Sequence, residues 1–303
     1  MSRMIRGAAA LVTAVLALTA CGGGGDGDPL SGGGGKGGSI TIGGADFPES
    51  GLIGEIYAQA LEAKDVKVER KFSIGSREVY YEQVKSGAIQ VFPEYNGALL
   101  AHVDKENPAS TTQEVDAALK QKLPAELEIL TPSQAENKDA LVVTAATAQK
   151  HGLKSIEDVK PVAGQLVVGG PPEFKTRKQG LVGLEKVYGL KFKEFKSLDT
   201  AGPITVSNLQ KGQIQAADLF TTDAAIKKNG FVVLGDPKNV FGAQNVVPLV
   251  YKAKVNDTVR NTLNAVSAKL TTAHLQDMNT EISEKKTDPE TIAKNWLGQN
   301  GLA

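Results

Sequence analysis

Apolar residues along the chain follow two periods, one typical of helices and one typical of strands. Leu52, Ile53 and Ile56 recur at helical spacing, which predicts an amphipathic helix from Gly51 to Lys64. Apolar and polar residues alternate from Val66 to Phe72, which predicts a strand. With one strand before this helix and a further helix and strand after it, the first part of the chain reads β-α-β-α-β. That order requires a parallel sheet with right-handed crossovers.

Two segments, 87–98 and 212–223, repeat one pattern and align without a gap. In each, a glycine that ends a helix precedes a short apolar strand, and an aromatic residue, Tyr95 or Phe220, stands eight positions beyond the glycine. Residues at the C-terminal edge of such a strand point into the crevice where open α/β sheets bind ligands. The repeat therefore predicts two aromatic side chains that face one cleft from two lobes. The alternative is that the motif recurs by chance and that both aromatic residues belong to the core.

The alternation of strands and helices restarts after an apolar run at 139–144. It stops at the extended segment from Val247 to Tyr251, beyond which only helices are predicted. We therefore predict an α/β fold whose first lobe comprises residues 40–139 and 247–303, and whose second lobe comprises residues 140–246. The chain would cross between the lobes at both boundaries, and the two crossings would form a hinge beside a central ligand cleft. Hinged lobes of this kind close around ligands in binding proteins.

Residues 1–20 have the pattern of a secretory signal peptide. Positive charges precede an apolar run at 8–17 that is too short to span a membrane, and small residues precede Cys21. The segment resembles a bacterial lipobox, which implies cleavage before Cys21, acylation of this cysteine and attachment to the cell membrane. Cys21 is the only cysteine, which excludes an internal disulfide, and the alternative is a free thiol at an ordinary secretory cleavage site. Residues 21–39 are rich in glycine and predict a flexible linker.

The charge balance gives no reason to expect a nucleic-acid partner. The chain has 34 Lys and Arg residues and 34 Asp and Glu residues, and without the two arginines of the predicted signal peptide the balance is 32 against 34, a net charge near −2. Beyond the signal peptide, the sequence predicts no transmembrane stretch.

Two other classes of function compete with a binding protein. An enzyme is disfavoured because the sequence has neither a Gly-x-Ser-x-Gly elbow nor a Gly-x-x-x-x-Gly-Lys phosphate loop. His102, His151 and His274 lack the spacing of metal ligands, so we expect no metal and no cofactor. Four carboxylates could pair as acid and base but are more often solvated or capping groups: Asp46, Glu94, Glu173 and Asp223. A structural lipoprotein or adhesin is the other alternative, and ligand-induced stabilisation would distinguish it from a binding protein.

Eight blocks of the sequence together resemble one family, the substrate-binding proteins of ABC importers for glycine betaine, choline and carnitine. The blocks lie at 40–50, 54–59, 75–79, 92–97, 169–177, 180–189, 221–223 and 269–272. The resemblance implies the two-lobe type II periplasmic-binding-protein fold. It also implies a monomeric, extracytoplasmic receptor for quaternary ammonium compatible solutes that delivers its ligand to ABC permease subunits.

By this resemblance, Tyr95 and Phe220 belong to an aromatic cage that surrounds a quaternary ammonium through cation–π attraction. The other residues expected at the ligand are Asp46, Phe47, Ser50, Ser76, Arg77, Asn96, Glu173, Arg177, Thr221, Thr222 and Asp223. The chain departs from the family pattern at Ser50, Arg77, Ala98 and Phe220, and the segment 133–139 has no aromatic residue. We therefore predict a thinned cage and weak glycine betaine binding, with the alternative of an aromatic or phenolic ligand whose polar group lies toward Arg77. If Arg77 faces the cleft, it would favour a ligand carboxylate or phenolate, and the alternative is that Arg77 is a surface residue at the start of a helix. We expect Tyr95→Ala to weaken binding with little loss of stability.

Overall fold

The computed structural model describes residues 38–303, which contain ten strands and eleven α-helices. The strands, β1 to β10 in chain order, are Ile40–Gly43, Val68–Lys71, Val91–Tyr95, Leu127–Ile129, Asp139–Val143, Val167–Gly170, Glu194–Ser197, Ala216–Phe220, Val232–Val233 and Val246–Tyr251. The helices, α1 to α11, are Pro48–Glu62, Arg77–Lys85, Asn96–Val103, Thr112–Lys122, Ala145–His151, Leu181–Gly183, Pro203–Gln210, Ala224–Lys228, Asp257–Lys269, Thr272–Thr280 and Pro289–Gln299. The predicted signal peptide, Cys21 and most of the predicted linker lie outside the described residues.

Two five-stranded sheets have the same layout, β2-β1-β3-β10-β4 in the first and β7-β6-β8-β5-β9 in the second. In each sheet the first three strands are parallel, and the fourth is antiparallel to the third. The strands that end at Tyr95 and Phe220, β3 and β8, therefore occupy equivalent positions. The predicted two-lobe α/β fold is confirmed by the two sheets and by the comparisons given below, whereas the residue boundaries of the lobes stay a prediction.

The chain passes from the first sheet to the second after β4 and returns through β10, so it crosses between the sheets twice. The two crossing segments run beside each other and are hydrogen-bonded. The N–H of Ser133 donates to the carbonyl oxygen of Val246 at 2.9 Å, and the N–H of Asn137 donates to that of Gln244 at 3.1 Å. The connection between the lobes is therefore a pair of hydrogen-bonded segments, located next to the ends of β3 and β8.

The C-terminal helices complete the core of the first lobe. Tyr57 of α1, Leu263 of α9 and Trp296 of α11 belong to one buried apolar cluster on one face of the first sheet. A second cluster, which includes Tyr80 and Phe92, covers the other face of that sheet. The second sheet is likewise packed on both faces. None of the helices in residues 38–303 combines the length and the apolar composition needed to cross a bilayer.

The first helix begins earlier than the sequence pattern predicts. The spacing of apolar residues indicated a start at Gly51, but α1 begins at Pro48. Proline is favoured in the first turn of a helix because its fixed backbone angle suits the helix and its missing N–H has no partner there. The early start places Phe47 at the N-cap and Glu49 in the first turn, where both side chains reach the space between the lobes.

Candidate functional site

A cavity of about 520 Å³ lies between the lobes, where β3 and β8 end. Eight of the predicted site residues line it: Asp46, Phe47, Ser76, Arg77, Tyr95, Glu173, Arg177 and Phe220. The first five belong to the part of the chain that forms the first sheet, and the last three to the part that forms the second. A ligand in this cavity therefore contacts both halves of the fold.

Three aromatic rings meet at this cavity. The ring centroid of Phe47 lies 5.1 Å from that of Phe220 and 6.1 Å from that of Tyr95, with interplanar angles of 50° and 34°. Phe47 thus joins the aromatic residues that end the two equivalent strands. The sequence identified Phe47 only as a ligand contact, and the structure gives it the position of a third ring. Ring faces carry negative electrostatic potential, so such a group attracts a cation.

The hydroxyl of Tyr95 belongs to a buried network around Glu49. The carboxylate of Glu49, which is 3% exposed, accepts hydrogen bonds from the Tyr95 hydroxyl at 2.6 Å and from the Asn137 amide at 2.8 Å. It also accepts bonds from the Thr222 hydroxyl and the Asn279 amide, each at 2.6 Å. Burial and the neighbouring carboxylate raise the pKa of Tyr95 well above its usual range, so its hydroxyl remains a donor. Glu49 therefore ties one cavity ring to a crossing segment and to the end of β8.

Arg77 is already paired with a buried carboxylate. Its guanidinium donates two hydrogen bonds of 2.9 Å to Glu94, which is fully buried and also accepts a 2.9 Å bond from the Tyr80 hydroxyl. Burial alone would lower the pKa of Arg77, but the Glu94 carboxylate more than offsets this effect and holds that pKa above its ordinary value. The sequence left two alternatives, an arginine that faces the cleft and attracts a ligand carboxylate or phenolate, and a surface arginine at the start of a helix. The structure corrects the first alternative, because the charge of Arg77 is balanced within the protein.

Arg177 forms an ion pair across the mouth of the cavity. It donates bonds of 3.1 and 2.8 Å to Glu78 on α2, and the Ser76 hydroxyl donates a 2.7 Å bond to the same carboxylate. Burial would raise the pKa of Glu78, but the bonds from Arg177 and Ser76 outweigh it and lower that pKa to about 2. Because Glu78 belongs to the first lobe and Arg177 follows β6 of the second, this pair joins the two rims of the cleft.

Two aspartates stand on neighbouring strands of the second sheet near the ring of Phe220. Asp139 lines the cavity and is paired with Phe220 across β5 and β8. Asp218 precedes Phe220 by two residues and is 3% exposed. Burial raises the pKa of Asp139 to about 6. Burial, followed by repulsion from Asp139, raises the pKa of Asp218 well above its usual range.

Five predicted ligand residues lie behind the cavity wall, where they hold the backbone in place. The Ser50 hydroxyl accepts a bond from the N–H of residue 45 at 2.8 Å, and the Asn96 side chain accepts bonds from the N–H groups of residues 97 and 245. Thr221 accepts a bond from the N–H of residue 138, and Asp223 caps α8. Thr222 donates to Glu49, as described above. None of the five is among the residues that line the cavity in the described part of the chain.

The sequence missed several residues that do line the cavity: Tyr80, Asn137, Asp139 and Gln244. Asn137 and Gln244 belong to the crossing segments, which have no periodic pattern to locate them. Asp139 and Asp218 carried a usable signal, because each is a charged residue within an otherwise apolar strand, where a buried acid is unusual.

Comparison with known proteins agrees with this geometry. Residues 38–299 match the model of a family described as the substrate binding domain of an ABC-type glycine betaine transport system. The chain belongs to this family. The glycine betaine-binding protein YehZ of Escherichia coli K12 is 28% identical over 276 residues, which cover 86% of this chain and 90% of that protein.

Two further similarities extend the comparison. The ergothioneine transport permease/ergothioneine binding protein EgtU of Helicobacter pylori G27 is 26% identical over 260 residues, which cover 84% of this family member and 46% of EgtU. The crystal structure of a glycine betaine/carnitine/choline ABC transporter protein has a TM-score of 0.68 at 21% identity and covers 87% of this chain and 99% of its own. This last similarity shows the fold.

Proposed function

We propose that this protein is the extracytoplasmic solute-binding component of an ABC importer and that its cavity binds a quaternary ammonium solute of the glycine betaine, choline and carnitine class. The observation that carries the proposal is the contact of Phe47 with both Tyr95 and Phe220 at a cavity between two lobes. Membership of a family of substrate-binding domains supports the transport role and gives no reason to expect catalysis. The glycine betaine-binding relative supports the class of solute.

The physical reason lies in the chemistry of a quaternary ammonium group. Such a group has no N–H to donate and keeps its charge at every pH, so a protein binds it through apolar surfaces and ring faces. Each ring in contact with the cation contributes ~0.5–2 kcal/mol, with the larger values where the cation is desolvated. Phe47 and Tyr95 belong to the first lobe and Phe220 to the second, so a cation among these rings favours an arrangement in which the lobes are close.

We further propose a membrane anchor and a permease partner for this protein. Cys21 carries the lipid that anchors the protein to the cell membrane, and residues 21–39 connect this anchor to the folded part. ABC permease subunits receive the solute from a monomeric receptor. The relative EgtU is described both as a permease and as a binding protein, which supports a permease as the partner.

Titration calorimetry of the purified protein with choline, carnitine and glycine betaine tests the class of solute. 3,3-Dimethylbutan-1-ol, in which carbon replaces the nitrogen of choline, is the neutral control. We expect at least one of the three solutes to bind, and we expect the neutral analogue to bind at least about tenfold more weakly than choline. Phe220→Ala should lower the affinity, whereas Val233→Ala, at an exposed residue of the same sheet, should not. Failure of all three solutes to bind would contradict the proposal.

A further inference from the structure

We propose that Asp139 and Asp218 form a subsite beside the three rings, and that this subsite selects a quaternary ammonium cation bearing a hydroxyl or another hydrogen-bond donor over a zwitterion bearing a carboxylate. The inference rests on the proposed function, because it takes the cavity as the binding site of a quaternary ammonium solute. It goes further because it names the end group of the solute that the cavity accepts and the two side chains that determine this selectivity.

Strand pairing sets Asp139 next to the aromatic group. Asp139 and Phe220 are directly opposed in the antiparallel pair of β5 and β8, and both line the cavity. Opposed residues in such a pair project to the same face, with Cβ atoms about 4.5–5.5 Å apart. A cation held against the ring of Phe220 therefore lies close to the carboxylate of Asp139, and the attraction is strong because the site is partly shielded from water.

Asp218 places a second carboxyl group behind the first. It stands two residues before Phe220, so it projects from the same face of β8, diagonally across from Asp139. Gly170 of the neighbouring strand leaves room for it, since a Cβ at that position would lie only 3.0 Å from the Cβ of Asp218.

The buried carboxyl group of Asp218 has an oxygen that accepts no hydrogen bond. It is 3% exposed, and within residues 38–303 its Oδ1 has no hydrogen-bond partner. A buried carboxyl group without a partner is costly unless a proton or a ligand satisfies it. Asp218 lies behind Asp139 and is not itself among the residues that line the cavity, so the group that satisfies it is a hydrogen-bond donor of the ligand that reaches past Asp139 into the cavity wall.

The positive charges at the cavity are already balanced by protein groups. Arg77 forms two hydrogen bonds with Glu94, and Arg177 forms two with Glu78. A ligand carboxylate bound at either arginine would have to displace a glutamate from one of these pairs. A cation with a neutral donor group requires no such displacement, so the cavity favours it.

The protonation state of the pair adds a pH dependence. The charged groups that act on Asp139 are Asp218 on β8, Glu173 and Arg177 on the segment after β6, and Arg77 on α2. Despite the two arginines, burial holds the pKa of Asp139 at about 6. A cation binds best to the ionised form of Asp139, so its affinity is highest above this pKa. As the pH falls below it, proton uptake by Asp139 competes with the cation and weakens binding.

Titration calorimetry with two probes, choline and glycine betaine, tests the subsite in the purified protein. At pH 7.5 we expect choline to bind more tightly than glycine betaine. We expect Asp139→Asn to lower choline affinity about tenfold or more and to leave glycine betaine affinity unchanged or higher. Asp277→Asn makes the same chemical change at an exposed position on α10 and should alter neither affinity.

A second measurement needs no variant. Choline binding at pH 6 should release a proton from the wild-type protein, detected as a dependence of the binding heat on the ionisation enthalpy of the buffer. If glycine betaine binds more tightly than choline and is unaffected by Asp139→Asn, the subsite is overturned while the proposed function stands. If neither solute binds to the wild-type protein, the proposed function fails and the subsite fails with it.

Discussion

The hydroxyl of Tyr95 donates a 2.6 Å hydrogen bond to the buried carboxylate of Glu49. One face of this residue lines the cavity, while its hydroxyl is held by a group that also binds a crossing segment and the end of β8. Tyr95 is only 8% exposed and packs in the core of the first lobe. Its contribution to ligand binding and its contribution to stability are therefore linked.

We expect Tyr95→Phe to lower the free energy of unfolding by about 1.5–3 kcal/mol, because it removes a hydrogen bond to a charged group. Most of the ligand affinity should remain, since the ring remains. Tyr95→Ala should cost more, about 3–5 kcal/mol, as for other large buried aromatic residues. The expectation from the sequence that Tyr95→Ala leaves stability almost unchanged does not hold, because the side chain is buried. Urea unfolding measures the free energy of unfolding of both variants. Tyr251→Phe, at a partly exposed position, is the control.

Glu49→Gln should destabilise the protein more than a typical surface substitution. Four donors converge on the carboxylate of Glu49, and an amide offers only one accepting oxygen. Each buried donor that loses its acceptor costs about 1–3 kcal/mol. Thermal unfolding should show a clear decrease in Tm, whereas Glu82→Gln, which affects only an exposed ion pair, should show little change. Equal decreases in the two variants would contradict the importance of this network.

The strands and their alternation with helices could be predicted from the sequence, because apolar periodicity and the repeated glycine-to-aromatic segment reflect local structure directly. The repeat correctly brought Tyr95 and Phe220 to one cavity. The hydrogen-bond and ion-pair partners of the side chains could not be predicted from the sequence in the same way. Arg77 reads as a free cation in the sequence, and only the folded chain shows that Glu94, seventeen residues later, neutralises it. Side-chain pairing depends on tertiary contacts, which periodicity does not encode.

The ion pair between Arg177 and Glu78 should make a small contribution to the free energy of unfolding, and this contribution should depend on pH. The pKa of Glu78 is lowered from its ordinary 4.5 to about 2, so the contribution is present above pH 4.5 and is lost as the pH falls toward 2. Because both side chains are partly exposed, we expect Arg177→Gln to cost no more than about 1 kcal/mol at pH 6 and nothing near pH 2. Unfolding measured across this range, in low and high salt, checks the prediction. A difference that persists at pH 2 would show another role for Arg177.

Lipid attachment should depend on Cys21 alone, since the chain has no other cysteine. We expect the wild-type protein to fractionate with membranes and Cys21→Ala to be soluble, because replacement removes the acylated sulfur. Fractionation of cells followed by detection of the protein measures this outcome. Cys21→Ala that remains with membranes in the absence of the permease would contradict the proposed anchor.

Asp218→Asn should stabilise the protein at neutral pH. Burial and the nearby Asp139 raise the pKa of Asp218, so the folded state holds its proton more tightly than the unfolded state does. An acid of this kind destabilises the folded state as the pH rises above its unfolded pKa, about 3.9. Asparagine has nearly the same shape and no charge to bury. The increase in the free energy of unfolding caused by Asp218→Asn should therefore be small near pH 4 and reach about 1–3 kcal/mol near pH 8.

Scanning calorimetry of wild type and Asp218→Asn between pH 4 and 8 measures the difference, and Asp277→Asn on the exposed side of α10 should show none. A stabilising substitution at a buried position is expected where the natural residue serves binding at the expense of stability. The same variant should therefore lose part of its preference for choline over glycine betaine. Destabilisation at every pH would instead show that Asp218 forms a favourable bond within the folded protein, and its role would then be to maintain the second sheet.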